Sequence, residues 1–217
     1  GGALLRETLD NSVKTPDDVQ RATDRPAIGD LAYDPDAKAH PLIVTQHPHS
    51  RRAEAFRQLR TNLQFVDIDT ELKSIVVTSS VPDEGKTTTV IYLGTTMAQS
   101  GQRVLLIDTD MRRPRLHASL SVPREPGLSN LLLGDDNYDE LVRPTEVPNR
   151  FGLPCGPLPP NPAELVMTKR FEHVLEELSR RFDRIILDSP PINAVTDAVV
   201  LSRRADGIIF VARAGKT

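Results

Sequence analysis

Residues 79–88 read SSVPDEGKTT and lie between an apolar run and a helical pattern. The stretch closes on Gly85-Lys86-Thr87, the ending of a phosphate-binding loop. Backbone N–H groups at a helix N-terminus, with the helix dipole behind them, favour an anion there. Lys86 can reach the β- and γ-phosphates of a nucleoside triphosphate, and the Thr87 hydroxyl is placed to ligate Mg²⁺. Gly85 allows close approach of the backbone. The strict pattern has a glycine six residues before the lysine, where this chain has Ser80. Serine is small enough for a tight turn. The alternative is a Gly-containing strand–helix turn followed by Lys-Thr by chance.

Two further apolar runs end in aspartate. LLIDTD carries Asp108 and Asp110, and IILDSPP carries Asp188. Strand C-termini line one edge of a parallel sheet, and ligands bind at that edge. Asp188 suits the role that holds Mg²⁺, directly or through water. Asp108 and Asp110 are two apart, so both face one side if the segment is still extended. An acid there binds the metal or accepts a hydroxyl proton. The alternative for any one of the three is an N-cap of the next helix or turn.

These residues need a scaffold, and the rest of the chain reads as one. The β-branched run 74–80 and the run 103–108 read as buried strands, and 184–188 and 207–213 are continuous apolar runs, the texture of strands covered on both faces. Helical patterns occupy 86–101, 127–134, 162–182 and 193–205. In RRAEAFRQLRTNLQF, Phe56, Leu59 and Leu63 share one helical face, with Arg57 and Arg60 beside it. Strand–helix alternation predicts an α/β fold: a doubly wound, mainly parallel sheet flanked by helices. Residues 1–50 are Asp- and Pro-rich with few apolar positions, so a partly ordered linker is expected there.

Composition narrows the function classes. The 217 residues suit one sizeable domain with a tail, and a formal net charge of −3 argues against a general nucleic-acid binder. A single cysteine, Cys155, excludes an internal disulfide and fits a reducing compartment. No apolar run approaches the roughly 18–20 residues that span a bilayer. The opening GGALLRETLD and the closing FVARAGKT read as a piece of something longer. The five histidines are too scattered to suggest a metal site.

SSVPDEGKTT, LLIDTDMRRPRLH and RIILDSPPINAVTDA together resemble the three nucleotide-site motifs of bacterial tyrosine kinases (BY-kinases), the autokinases of exopolysaccharide and capsule systems. The resemblance covers roughly residues 51–217. That family's loop reads Ser-x-x-Pro-x-Glu-Gly-Lys, so Ser80 is no defect there, and Pro82, Glu84, Gly85 and Lys86 match. It implies a P-loop NTPase-like fold, ATP and Mg²⁺ as cofactors, and protein-tyrosine (auto)kinase activity. Implied nucleotide contacts are Pro82, Asp83, Glu84, Gly85, Lys86, Thr87, Thr88 and, bordering the adenine, Arg213. Lys86, Asp108 and Asp110 become the catalytic set, and Thr87, Asp108 and Asp188 the metal set. Glu54, Arg57 and Arg60 match a Glu-x-x-Arg-x-x-Arg pattern on a helix that mediates ring-like self-association. On spacing alone those charges are a solvated helix face with i,i+3 pairing.

The resemblance further implies a transmembrane chain-length regulator as partner, in cis or in trans, and a cognate tyrosine phosphatase. No nucleic-acid partner is expected. It places residues 1–50 as a juxtamembrane linker at the cytoplasmic side of the membrane. The family's phosphorylated tyrosine cluster has no counterpart here: Tyr33, Tyr92 and Tyr138 are scattered. Acceptor tyrosines are therefore expected beyond Thr217 or not at all. Arg112, Arg113 and Arg115 could stabilise transferred charge, dock an acidic tail or simply be solvated. Two rivals share the expected fold. A ParA/MinD-type ATPase would carry a second lysine five residues before Lys86, where this chain has Val81. A non-catalytic module could instead use ATP only to close a ring on an export machine.

Overall fold

Three of the four apolar runs form strands whose residues alternate between two separate cores, and the fourth faces only one of them. The computed structural model describes residues 15–32, 43–66, 71–193 and 197–214. Its strands are β1 (Ser74–Ser79), β2 (Val104–Asp108), β3 (Arg143–Pro144), β4 (Arg150–Leu153), β5 (Arg184–Asp188) and β6 (Gly207–Val211). They form one sheet in the order β3-β4-β2-β5-β1-β6. Every pairing is parallel except β3 with β4. Strand order thus departs from chain order, with helical crossovers on both faces, which is the doubly wound arrangement expected.

The helices are α1 (Pro16–Thr23), α2 (Ile43–Gln46), α3 (Arg51–Val66), α4 (Lys86–Gln99), α5 (Leu116–Ser119), α6 (Leu128–Leu132), α7 (Tyr138–Leu141), α8 (Pro162–Met167), α9 (Lys169–Arg181) and α10 (Asp197–Ser202). On one face, Phe56, Leu59 and Leu63 of α3 and Val90, Leu93 and Met97 of α4 cover Ile75, Val77, Leu106 and Ile186. On the other, Leu131, Val166, Phe171, Val174 and Leu178 cover Val76, Leu105, Ile185 and Leu187. Gly94 lets α4 lie close to β2, because a Cβ there would stand 2.6 Å from Leu106 Cδ2. Tyr92 is core, as its helical position suggested, with its ring edge-on to Phe56 at 5.2 Å.

Four elements differ from the sequence reading. The expected helix 162–182 is two helices, broken at Thr168, whose backbone is extended (φ −71°, ψ 154°) and whose side chain accepts the Phe171 N–H. An N-cap threonine starts a new helix rather than continuing the old one. β3 and β4 were not anticipated. β4 has four residues and opens on Arg150, a buried cation whose guanidinium donates to Thr95 Oγ1 at 2.7 Å and Thr145 Oγ1 at 3.0 Å. β6 is not covered on both faces: it is an edge strand, and Ile208 and Phe210 are about half exposed.

The segment expected as linker contributes α1, started by a Thr15/Asp18 capping box. Beyond it, Ile28 and Leu31 pack on the α3 side of the core, and Asn62 Nδ2 donates to the Ile28 carbonyl at 2.9 Å. The opening GGALLRETLD, Tyr33, His40 and residues 194–196 of the expected last helix lie outside the described residues. Among the described residues, no helix is long and apolar enough to cross a membrane.

Candidate active site

The phosphate-binding loop leaves β1 at Ser79 and enters α4 at Lys86. Gly85 caps the helix in the left-handed region (φ 98°), and Asp83 is also left-handed (φ 63°). A Cβ at Gly85 would meet nothing within 4 Å, so glycine serves conformation there and not space. Left-handed residues before a helix N-terminus turn backbone amides into a concavity suited to an anion. The first turn of α4 holds no acidic residue, and its N-cap offers no side-chain acceptor. The fourteen-residue helix therefore presents its dipole to whatever occupies the loop.

Glu84 is buried and braces this loop. Its Oε2 accepts the Val81 N–H at 3.0 Å, and its Oε1 accepts the Arg213 N–H at 3.3 Å. Glu84 and Arg213, both expected at the nucleotide, are joined to each other here, and neither lines the cavity beside the loop. Lys86 Nζ donates to Ser79 Oγ at 3.0 Å. Burial pulls the Lys86 pKa down, against the opposing pull of Asp188, Asp110, Glu84 and Asp83.

The C-terminal edges of β2 and β5 are laced together. Thr109 donates its N–H and its hydroxyl to the Asp188 carbonyl, at 3.0 and 2.7 Å. Asp108 and Asp188 are partners in register. The Thr87 hydroxyl donates to Asp188 Oδ2 at 2.6 Å, while the buried Oδ1 has no hydrogen-bond partner among the described residues. Burial raises the Asp188 pKa to about 7, with the Thr87 bond and Lys86 pulling the other way.

Asp108 is placed differently. It is fully buried, its Oδ2 accepts the Leu116 N–H at 3.0 Å, and its Oδ1 accepts the Asp110 N–H at 3.3 Å. Burial, then the Asp188 charge, raises its pKa well above the ordinary range. Unlike Asp110 and Asp188, it does not line the cavity. Asp110 Oδ1 accepts the amides of Arg112 and Arg113, at 3.2 and 3.0 Å.

These groups border a cavity of about 520 Å³, a volume typical of small-molecule sites. Pro82, Asp83, Gly85, Lys86, Thr87 and Thr88 form its loop side. Asp110, the arginine segment, Asp188 and Pro190 also line the cavity. Arg115 pairs with Asp83 at 3.0 Å. A magnesium ion fits this chemistry. Two abutting buried carboxylates, one with a bare oxygen, sit beside a hydroxyl, and Mg²⁺ accepts a few protein oxygens plus phosphates and water. Thr87 and Asp188, joined by a hydrogen bond at the loop, are the pair that would hold it.

Sequence reading missed Asp197, whose buried carboxylate takes Arg112 Nε at 3.1 Å and Nη2 at 3.4 Å. Nothing in VTDAVV marks that aspartate as more than a helix residue. His117 also lines the cavity, with a buried Nδ1 that has no partner among the described residues. Burial, then Arg124, lowers its pKa. Cys155 is fully buried, and burial raises its thiol to about 12. The helix α3 charges lie elsewhere. Exposed Glu54 pairs with Arg57 at 2.6 Å, Arg57 also donates to the Pro48 carbonyl, and Arg60 donates to the Thr96 carbonyl at 2.8 Å.

Comparison with known proteins decides the lineage. Residues 72–215 match the AAA domain family. The tyrosine-protein kinase YwqD of Bacillus subtilis is 39% identical over 176 residues, spanning 81% of this chain and 74% of that protein. The chain belongs to the bacterial tyrosine-protein kinases. Two solved kinase domains of that family superpose closely. The Escherichia coli tyrosine kinase ETK gives a TM-score of 0.86 at 31% identity, covering 93% of this chain and 82% of that one. The BceF tyrosine kinase domain gives 0.85 at 34%, covering 95% and 88%. Outside the family, the Mg-ADP complex of MinD from Pyrococcus horikoshii shares the fold alone, with a TM-score of 0.55 at 24% identity, covering 64% of this chain and 57% of that one. The P-loop NTPase-like fold and the tyrosine-kinase assignment therefore hold, and the kinase reading prevails over a ParA/MinD-type ATPase.

Proposed function

We propose that this chain transfers the γ-phosphoryl group of MgATP to tyrosine hydroxyls of neighbouring subunits, within machinery that controls exopolysaccharide or capsule synthesis and export. The observation that carries the reading is the bare buried oxygen of Asp188, beside the Thr87 hydroxyl at an uncapped helix N-terminus. An anion and a cation are each what that arrangement lacks.

The work is positioning and charge neutralisation. The loop amides and Lys86 hold the β- and γ-phosphates. Thr87 and Asp188 hold the metal, which when bound neutralises charge on the phosphate oxygens. Asp108 enters through the loop amides it fixes. Asp110 keeps Oδ2 unbonded among the described residues, so it is the carboxylate assigned to orient the phenol and receive its proton. A phenol pKa near 10 makes this assistance during transfer rather than prior deprotonation.

Self-association is assigned to α3. All three are engaged within their own chain, and Glu54, whose side chain is 71% exposed against 31% for Arg57, is the member of the Glu54–Arg57 pair more open to a partner. Glu54→Ala should reduce the size of the assembly in solution, and an unchanged size would remove the assignment. A membrane-embedded chain-length regulator and a resetting phosphatase complete the proposed system. The kinase reading itself is tested with Lys86→Met, labelled ATP and an acceptor polypeptide bearing clustered tyrosines. Labelling should fall by roughly 10²-fold or more, the scale of losing one stabiliser of developing charge. Undiminished tyrosine labelling would remove the reading.

A further inference from the structure

Three arginines line the cavity beside the phosphate-binding loop, and their attachments differ. Arg115 is tied to Asp83 in an exposed pair, and Arg113 is exposed. Arg112 is exposed too, with 44% of its side chain accessible, but it alone of the three is held by a buried group. Asp197 is 2% exposed and takes Nε and Nη2 of the guanidinium on its two oxygens. Two parallel bonds fix the plane of a guanidinium as well as its position, which a lysine cannot reproduce. The backbone of the same residue is fixed independently, because the Arg112 N–H is bound by Asp110 Oδ1 at 3.2 Å. Arg112 is thus located at both ends, once by the carboxylate assigned to the acceptor and once by the carboxylate that opens α10. Its Nη1 has no hydrogen-bond partner among the described residues, and the side chain lines the cavity.

We infer that Asp197 is a positioning residue that holds Arg112 with its free donors toward the phosphoryl group in transfer. This deepens the kinase reading and rests on it. A cation fixed in advance needs no reorganisation as charge builds on the equatorial oxygens, so its effect falls on the transfer step and not on ground-state nucleotide binding. The buried Asp197 carboxylate is in turn satisfied by the arginine, so the two residues act as a unit and their losses should not add.

The test uses the whole chain in two assays. The first measures phosphorylation of a random Glu/Tyr copolymer. Asp197→Asn and Arg112→Lys should each lower kcat by about tenfold, with KM for ATP within about twofold of wild type, and the double variant should be no worse than either single one. The second measures affinity for MgADP with and without tetrafluoroaluminate, a stand-in for the phosphoryl group in flight. Both variants should bind MgADP normally and lose about tenfold of the extra affinity that tetrafluoroaluminate confers. Wild-type levels in both assays would overturn the inference. So would an equal loss of MgADP affinity, which a merely structural role would give. If wild type fails to label the copolymer yet gains affinity from tetrafluoroaluminate, the acceptor assignment fails, and the second assay still decides the role of Asp197.

Discussion

The ends of β2 and β5 carry the same residue at the same register position, and the two carboxylates are prepared for different work. Asp108 and Asp188 are partners on neighbouring strands, and both are buried. Asp108 spends both oxygens on backbone amides, and those amides open the segment that carries Asp110 and leads into α5. Asp188 has one hydroxyl partner and one bare oxygen. A carboxylate satisfied by its own chain organises a loop; one left short of a partner while buried is waiting for a ligand. Location at the ligand-binding edge of the sheet therefore identifies the neighbourhood, and hydrogen-bond completeness separates the two roles.

Removing each carboxylate should break the pair in opposite ways. Asp188→Asn has the largest expected effect: tyrosine phosphorylation falls by roughly 10²-fold or more, because the metal's stabilisation of transition-state charge is worth several kcal/mol. Steady-state labelling measures it, and a loss below about threefold would place the metal elsewhere. Next comes pH. The Asp188 pKa is about 7 in the folded chain against an ordinary 3.8, so between those values the folded state keeps a proton that the unfolded state has released. Without nucleotide and metal, stability should therefore fall as pH rises through that window, by an amount on the order of a few kcal/mol. Melting temperatures from pH 4.5 to 8 should show the decline, and Asp188→Asn should lessen it, the remainder coming from Asp108, whose burial also raises its pKa. Asp108→Asn should do the smallest damage to chemistry and more to the fold. An amide cannot accept from both backbone N–H groups, which costs about 1–3 kcal/mol, reduced by relief of the charge repulsion with Asp188. Magnesium-dependent nucleotide affinity should stay within about tenfold of wild type while the melting temperature drops.

The same contrast explains what could be read from the chain. Four of six strands were legible because each is an apolar or β-branched run, and the two aspartate-ended runs located the edge. β4 escaped because a buried arginine interrupts its apolar texture and its four residues are too few to show a period. The apolar texture of 207–213 also misled, since periodicity does not separate an edge strand from a central one. Thr168 looks like any helix residue until its backbone is seen to be extended. At the site, Lys86, Thr87, Asp110 and Asp188 converge on the cavity, as motif spacing suggested. The division between Asp108 and Asp188 was not legible, because it depends on which amides reach each oxygen. Asp197 was hidden for the same reason: its partner is 85 residues away in sequence.

Calorimetric titration of the chain with ATP, in the presence and absence of magnesium, tests the central claim most directly. One nucleotide should bind per chain with magnesium, at least tenfold more weakly without it, and Asp188→Asn should erase that difference while Asp108→Asn preserves it. Equal affinity with and without magnesium, or a difference that survives the loss of Asp188 and vanishes with Asp108, would contradict the account.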